Sequence, residues 1–199
     1  MASTAYETII LDNLSQAFER STPDLERSTG GIWKDGALTF RAFGQMCCVG
    51  PDRVTLSGVR SADPRAVLVS LYVRCAGTEP IQAMPFQAFR DLPGSMPYHG
   101  AFSANSEQVL IPHVSRIKEA GRSITKKFDG ADGNMGDVSM ILYPLPKIAL
   151  CYICYLPDEE FPAGITILFS ANAQSFMPLD GLADLAEYTS KEIIHIVGG

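Results

Sequence analysis

The sequence predicts one α+β domain over residues 1–199, in which a mainly antiparallel sheet is covered by helices from the N-terminus, the middle and the C-terminus. Three observations carry this. Helical apolar spacing recurs near both ends and in the middle of the chain. Strand-like runs follow one another without intervening helices, which argues against a parallel nucleotide-binding sheet. Finally, 46% of the 199 residues are hydrophobic and 19% charged, too apolar for a disordered chain and enough for one core.

Taken in order, Thr4 and Glu7 form a capping box, and Tyr6, Ile9, Ile10, Leu14, Ala17 and Phe18 follow at helical spacing, predicting a helix from about Ala5 to about Arg20. Thr22-Pro23 opens a short helical turn that Gly30-Gly31 ends. Residues 37–43, 45–49 and 53–57 read as an antiparallel meander broken at Gly44 and at Gly50-Pro51-Asp52. Asp63-Pro64 caps a helix whose apolar face is Val67, Leu68, Leu71, Tyr72 and Cys75. From Ser106 to Phe128 the pattern is helical but interrupted by Pro112 and Gly121. After a glycine loop at 130–136, residues 137–145, 147–156 and 164–169 read as three strands, apolar enough to form the centre of the sheet. Asp180 then caps a last helix with Leu182, Leu185, Ala186, Ile193, Ile194 and Val197 toward the core.

The formal net charge of -6 makes nucleic acid an unexpected partner, because the molecule as a whole repels phosphate backbones. The most apolar stretch, Met140 to Leu156, is broken by Pro144, Pro146 and Lys147, so two strands around a Pro-Leu-Pro corner fit it better than a membrane span. No basic segment precedes an apolar run at the N-terminus, and a cytoplasmic location is expected. Five cysteines are an odd number. Cys151 and Cys154 lie on a predicted strand, where side chains three apart face opposite ways, so buried reduced thiols are favoured over a chelate or redox pair.

Phe86-Gln-Ala-Phe-Arg90-Asp-Leu92-Pro93-Gly94 with Tyr98, then Gly136-Asp137, Leu145-Pro146, Asp158-Glu-Glu-Phe161-Pro162-Ala163 and Leu168-Phe169, form a recurring pattern. In these residues the chain resembles a bacterial and archaeal family known only as a domain of unknown function. That family is typical of strict anaerobes, and its members are sometimes fused to iron–sulfur modules like those of corrinoid proteins. The resemblance runs from about Gly30 to the end and departs from the pattern at Ser170, where an acidic residue is expected. It implies an iron–sulfur or corrinoid protein as partner and no activity.

Among candidate sites, the 129–137 loop mimics a calcium loop but places Gly136 where an oxygen ligand is needed and Tyr143 where the closing Glu belongs. Its glycines lack dinucleotide spacing and precede a strand. No metal-ligand pattern and no nucleophile motif is present, and the sequence singles out no cofactor. Asp158-Glu159-Glu160 lies on a hairpin tip, where carboxylates are expected in water rather than at acid–base work. Lys118, Arg122, Lys126 and Lys127 form a basic stripe, a solvated face or a docking surface.

Arg90, Tyr98 and His99 bring a guanidinium, a phenol and an imidazole within ten residues, the best cluster for ligand or anion recognition. Asp137 and Lys147 are the only charges in an apolar stretch, where an unpaired charge is expensive to bury. Asp137 is expected to accept N–H bonds from the glycine loop. Lys147 is expected at a sheet end with its ammonium in water or on a carboxylate. The leading expectation is a non-catalytic ligand- or cofactor-binding accessory protein of anaerobic metabolism. Its alternatives are a small-molecule enzyme that uses Asp137, Lys147 and Arg90 on an acidic substrate, and an interaction module docking through the basic stripe. Self-association is compatible with each.

Overall fold

The computed structural model describes residues 5–198. Helix α1 (Ala5–Ala17) packs on α3 (Pro64–Cys75) through Ile10, Leu14 and Ala17, and Asn13 Nδ2 donates across that interface to Ser70 Oγ at 3.0 Å. The capping Thr4 lies outside the described residues. Tyr6 and Ile9, which the helical spacing assigned to the core, are each 46% exposed, because only one narrow stripe of α1 meets α3. Helix α2 (Thr22–Thr29) ends on Gly30 in the left-handed region. Asp63 caps α3 by accepting from the Ala66 N–H at 3.1 Å, and Pro64 occupies the first turn, where its missing N–H is not needed.

The strands divide between two five-stranded antiparallel sheets. The first is a meander of β1 (Ile32–Lys34), β2 (Ala37–Ala42), β3 (Gln45–Gly50), β4 (Arg53–Leu56) and β5 (Val59–Ser61), in chain order. Three of its turns are two-residue pairs with both φ positive: Asp35-Gly36, Phe43-Gly44 and Ser57-Gly58. These are primed turns, whose twist matches that of the flanking strands. Their inward residues Leu38, Phe40, Ala42, Cys47, Val49, Val54 and Leu56 are buried, while Thr39, Arg41 and Met46 alternate outward.

The second sheet runs β6 (Gln87–Ala88), β10 (Gly164–Phe169), β9 (Ile148–Tyr155), β8 (Val138–Leu145) and β7 (Ala131–Asp132). Every residue of β9 but Tyr155 is buried, as expected for a strand covered on both faces. The stretch expected to be glycine loop contains β7, whose two residues pair with Met140 and Ile141. Gly133 N–H donates to Ser139 O at 2.8 Å and Met135 N–H to Ser139 Oγ at 2.9 Å. Asp158 closes the turn after β9, its Oδ1 accepting from Glu160 and Phe161 N–H at 2.8 and 2.7 Å, so that carboxylate is occupied by its own backbone.

The interrupted helical stretch resolves into α4 (His99–Phe102), a π-turn at 103–107, a 3₁₀ segment at 108–113 and α5 (Val114–Lys127). Pro112 explains the irregularity, since it can neither donate nor leave room for the carbonyl four residues back. Helix α6 (Leu179–Gly198) closes this side, and Tyr152 of β9 reaches its Ser190 hydroxyl at 3.3 Å. Among the described residues no helix is long and apolar enough to cross a membrane.

Candidate functional site

The sheets meet where the β2–β3 hairpin tip enters the second sheet. Phe43, at φ 50° and fully buried, donates its N–H to Pro144 O at 2.8 Å. A left-handed bulky residue is strained, and this burial and bond hold it there. A Cβ on Gly44 would stand 2.5 Å from Lys127 Cγ and 2.6 Å from Lys127 O, so no side chain fits.

Beside that junction lies a cleft of about 480 Å³. One wall comes from Ile32 and Lys34 of β1, Thr39, Phe40 and Arg41 of β2, and Met46 of β3; Asp129, Tyr143 and Pro146 form the other. Gly30 permits its closed end, where a Cβ would meet Pro146 Cβ at 3.3 Å. The lining is chiefly apolar, and Ile32 and Met46 remain 69% and 49% exposed.

Its polar end is built on Arg41. The Nε donates to the Asp129 carboxylate, and Nη2 donates to Gly44 O at 3.1 Å and Lys127 O at 3.0 Å. Lys127 O belongs to the last turn of α5, where unpaired carbonyls favour a cation. The Lys127 ammonium meets Glu192 Oε2 at 2.9 Å, and Glu192 Oε1 accepts from Arg65 Nη1 at 2.9 Å. Arg41 is thereby tied to α3, α5 and α6. Lys34 is exposed at the end of β1 and has no ion pair among the described residues.

None of Arg90, Tyr98, His99, Asp137 and Lys147 lines this cleft. Arg90 is 71% exposed at its side chain with Asp91 at 4.0 Å, and its carbonyl accepts from Ser95 Oγ at 3.0 Å. Tyr98 borders a smaller cleft of about 150 Å³ with Asp180, Asp184 and Glu187, surroundings that repel an anion. Partial desolvation and then the charges of Glu187 and Asp180 push the Asp184 carboxyl above the usual carboxylate range. His99 is half-buried, its Nδ1 enclosed and without a partner.

Asp137 and Lys147 occupy opposite ends of the β8–β9 hairpin, so they do not converge on one substrate. Asp137 does not serve the glycine loop; its Oδ2 accepts from Leu156 N–H at 2.7 Å, on the neighbouring strand's continuation. Lys147 sits at a sheet end as expected, but its ammonium pairs with no carboxylate among the described residues. Its ammonium donates to the carbonyls of Arg27, Gly77 and Glu79 at 2.6, 3.3 and 2.9 Å, and lies 5.3 Å from the Phe176 ring centroid. Partial burial draws its pKa down, opposed by the Glu79 charge. It serves as a clasp joining α2, the loop after α3 and the β8–β9 corner. The basic stripe keeps Lys118, Arg122 and Lys126 in solvent but loses Lys127 to Glu192.

Cys47, Cys151 and Cys154 are buried free thiols, whereas Cys48 and Cys75 are half-buried. Burial pushes Cys151 and Cys154 up to about 11 and Cys47 higher still, away from the thiolate that nucleophilic or metal-binding work requires. Among the described residues no three His, Cys, Asp or Glu side chains are grouped to hold a metal ion. The cleft escapes a reading along the chain because its walls come from residues 30–46 and 129–146. Its β2 and β3 walls are legible as strands, and the β1 wall has a local signal in the Asp35-Gly36 pair, whose dipeptide favours a hairpin turn.

A family model described as a domain of unknown function (DUF3786) matches residues 21–192. No curated protein and no solved structure matches the chain.

Proposed function

This chain belongs to the DUF3786 family, and from that premise we propose that it is a non-catalytic accessory protein that binds a small molecule in the cleft between its two sheets. The observation that carries the proposal is the cleft itself: about 480 Å³ of mostly apolar lining, open at the surface, with one guanidinium held rigidly at its edge. Ligand sites are concave, largely apolar and few, with a small number of placed polar groups, and this cleft has that composition. The non-catalytic part is supported by the groups themselves. The buried thiols of Cys47, Cys151 and Cys154 carry raised pKa values, Lys147 spends its donors on carbonyls, and Asp137 is engaged by the Leu156 amide.

The anaerobic setting, the cytoplasmic location and an iron–sulfur or corrinoid protein as working partner belong to the same proposal. They are supported by the resemblance in the segments Phe86–Gly94 and Gly136–Phe169. Anaerobic purification from the native host, followed by mass spectrometry and absorbance, tests it. A small molecule should co-purify with the wild-type protein and be reduced with Thr39→Trp, which fills the cleft. A ligand that co-purifies equally with both overturns the site.

A further inference from the structure

Resting on the cleft as the ligand site, we infer that its occupant is an amphipathic monoanion: an apolar aromatic or aliphatic body carrying one carboxylate or sulfonate, with Lys34 as its counter-ion. Three charged side chains line the cleft, the cations Lys34 and Arg41 and the carboxylate of Asp129. Arg41 and Asp129 neutralise one another, and the guanidinium is further occupied by the Gly44 and Lys127 carbonyls. Lys34 is the charge left over. Within a molecule of net charge -6, an apolar cleft with one unspent cation is a local reversal of the field. It attracts a single negative charge and offers little to a second, whose nearest further cation is already paired.

The body is placed by the strand. Lys34 and Ile32 are two residues apart on β1, so their side chains share a face, and Ile32 pairs in register with Thr39. An anionic head at Lys34 therefore lays an attached apolar body toward Ile32 and Met46, the two large apolar side chains of the cleft left most open. Tyr143 and Thr39 contribute hydroxyls to the same lining, and neither adds charge.

The test uses two probes that share one body, anilinonaphthalene sulfonate and its uncharged parent, phenylnaphthylamine, titrated by fluorescence at low ionic strength. Wild type should bind the sulfonate about twofold to fivefold more tightly than the parent, the range of a single exposed ion pair. Lys34→Gln, at an exposed strand end, should bring the two to parity by weakening only the sulfonate. Raising the salt should shrink the wild-type preference in the same way. Equal binding of the two probes by wild type, or a preference that survives Lys34→Gln, overturns the monoanion while leaving the cleft in place. Failure of wild type to bind either probe overturns the cleft reading itself. So does full binding of both by Thr39→Trp, or by Met46→Trp should the first variant fold poorly.

Discussion

The first sheet is a short meander with one face on the core and one face open, whereas the second carries a strand, β9, buried on both sides from Ile148 to Cys154. Both are five-stranded and antiparallel, yet they do different work. The second stabilises the molecule by removing apolar surface from water on both faces of its central strand, where burial also raises the thiols of Cys151 and Cys154. The first packs only one face on the core, through Leu38, Phe40, Val49 and Val54, with the Phe43-Gly44 tip inserted at its edge, and so can leave Ile32 and Met46 uncovered. Packing secures both sheets, one through two faces and the other through one, and the candidate site lies on the one that can spare a face.

The comparison is broken most directly by truncation. Leu150→Ala, in the middle of β9, should lower stability by about 3 kcal/mol, because it leaves a cavity with neighbours on every side. Met46→Ala, outward on the first sheet, should change it by no more than about 0.5 kcal/mol. Denaturant midpoints at constant slope measure both, and equal losses would mean that the first sheet's open face is covered in solution.

Next in size is a pair of turns. Gly44 and Gly58 share the left-handed conformation at φ 71° and 79°, but a Cβ at Gly58 meets nothing within 4 Å while one at Gly44 strikes the Lys127 backbone. Gly58→Ala should therefore cost about 1 kcal/mol, the conformational penalty alone. Gly44→Ala should cost about 2 kcal/mol more, because the plug must withdraw. Thermal melts of the two variants separate the terms, and similar losses would show that the tip is not what joins the sheets.

Glu192 tests the connection between the regions. It is 16% exposed at its side chain and bridges Arg65 and Lys127, whose carbonyl holds Arg41. Glu192→Gln should lower stability by about 1–2 kcal/mol through two weakened charge-assisted bonds. It should also loosen Arg41, read as faster hydrogen exchange at the β2–β3 tip. Loss of stability without that local change would confine the network to the helices.

The smallest effect is a pH dependence. Asp184 has a carboxyl raised above its ordinary value of 3.8, so between that value and the raised one the folded state binds more protons than the unfolded. Stability from this group is greatest at low pH and falls as the pH rises through that window. Asp184→Asn should remove this slope and raise stability at neutral pH by less than about 0.5 kcal/mol, since the carboxyl is only partly desolvated and solvent screens the repulsion from Glu187 and Asp180. Urea titrations across the acid range measure it.

Local signals along the chain determined the α+β class, the capped start of α3 at Asp63-Pro64, the β8–β9 corner at Pro146 and the buried character of β9. Each of these is written within a few neighbouring residues as a period, a cap or a turn. Four strands went unread, Ile32–Lys34 and Val59–Ser61, whose turns Asp35-Gly36 and Ser57-Gly58 announce, and Gln87–Ala88 and Ala131–Asp132, because each is too short to show a period of two. What only the tertiary structure decided is which groups meet. Whether the strands formed one sheet or two, whether Asp137 would be capped by its glycine loop or by Leu156, and that Lys147 would find three carbonyls rather than a carboxylate were all settled by contacts distant in the chain. Arg41 and Asp129, 88 residues apart, make the edge of a cleft that neither segment contains alone. Local propensity acts over a few residues, whereas a site is a coincidence of surfaces, and that coincidence exists only once the core has closed.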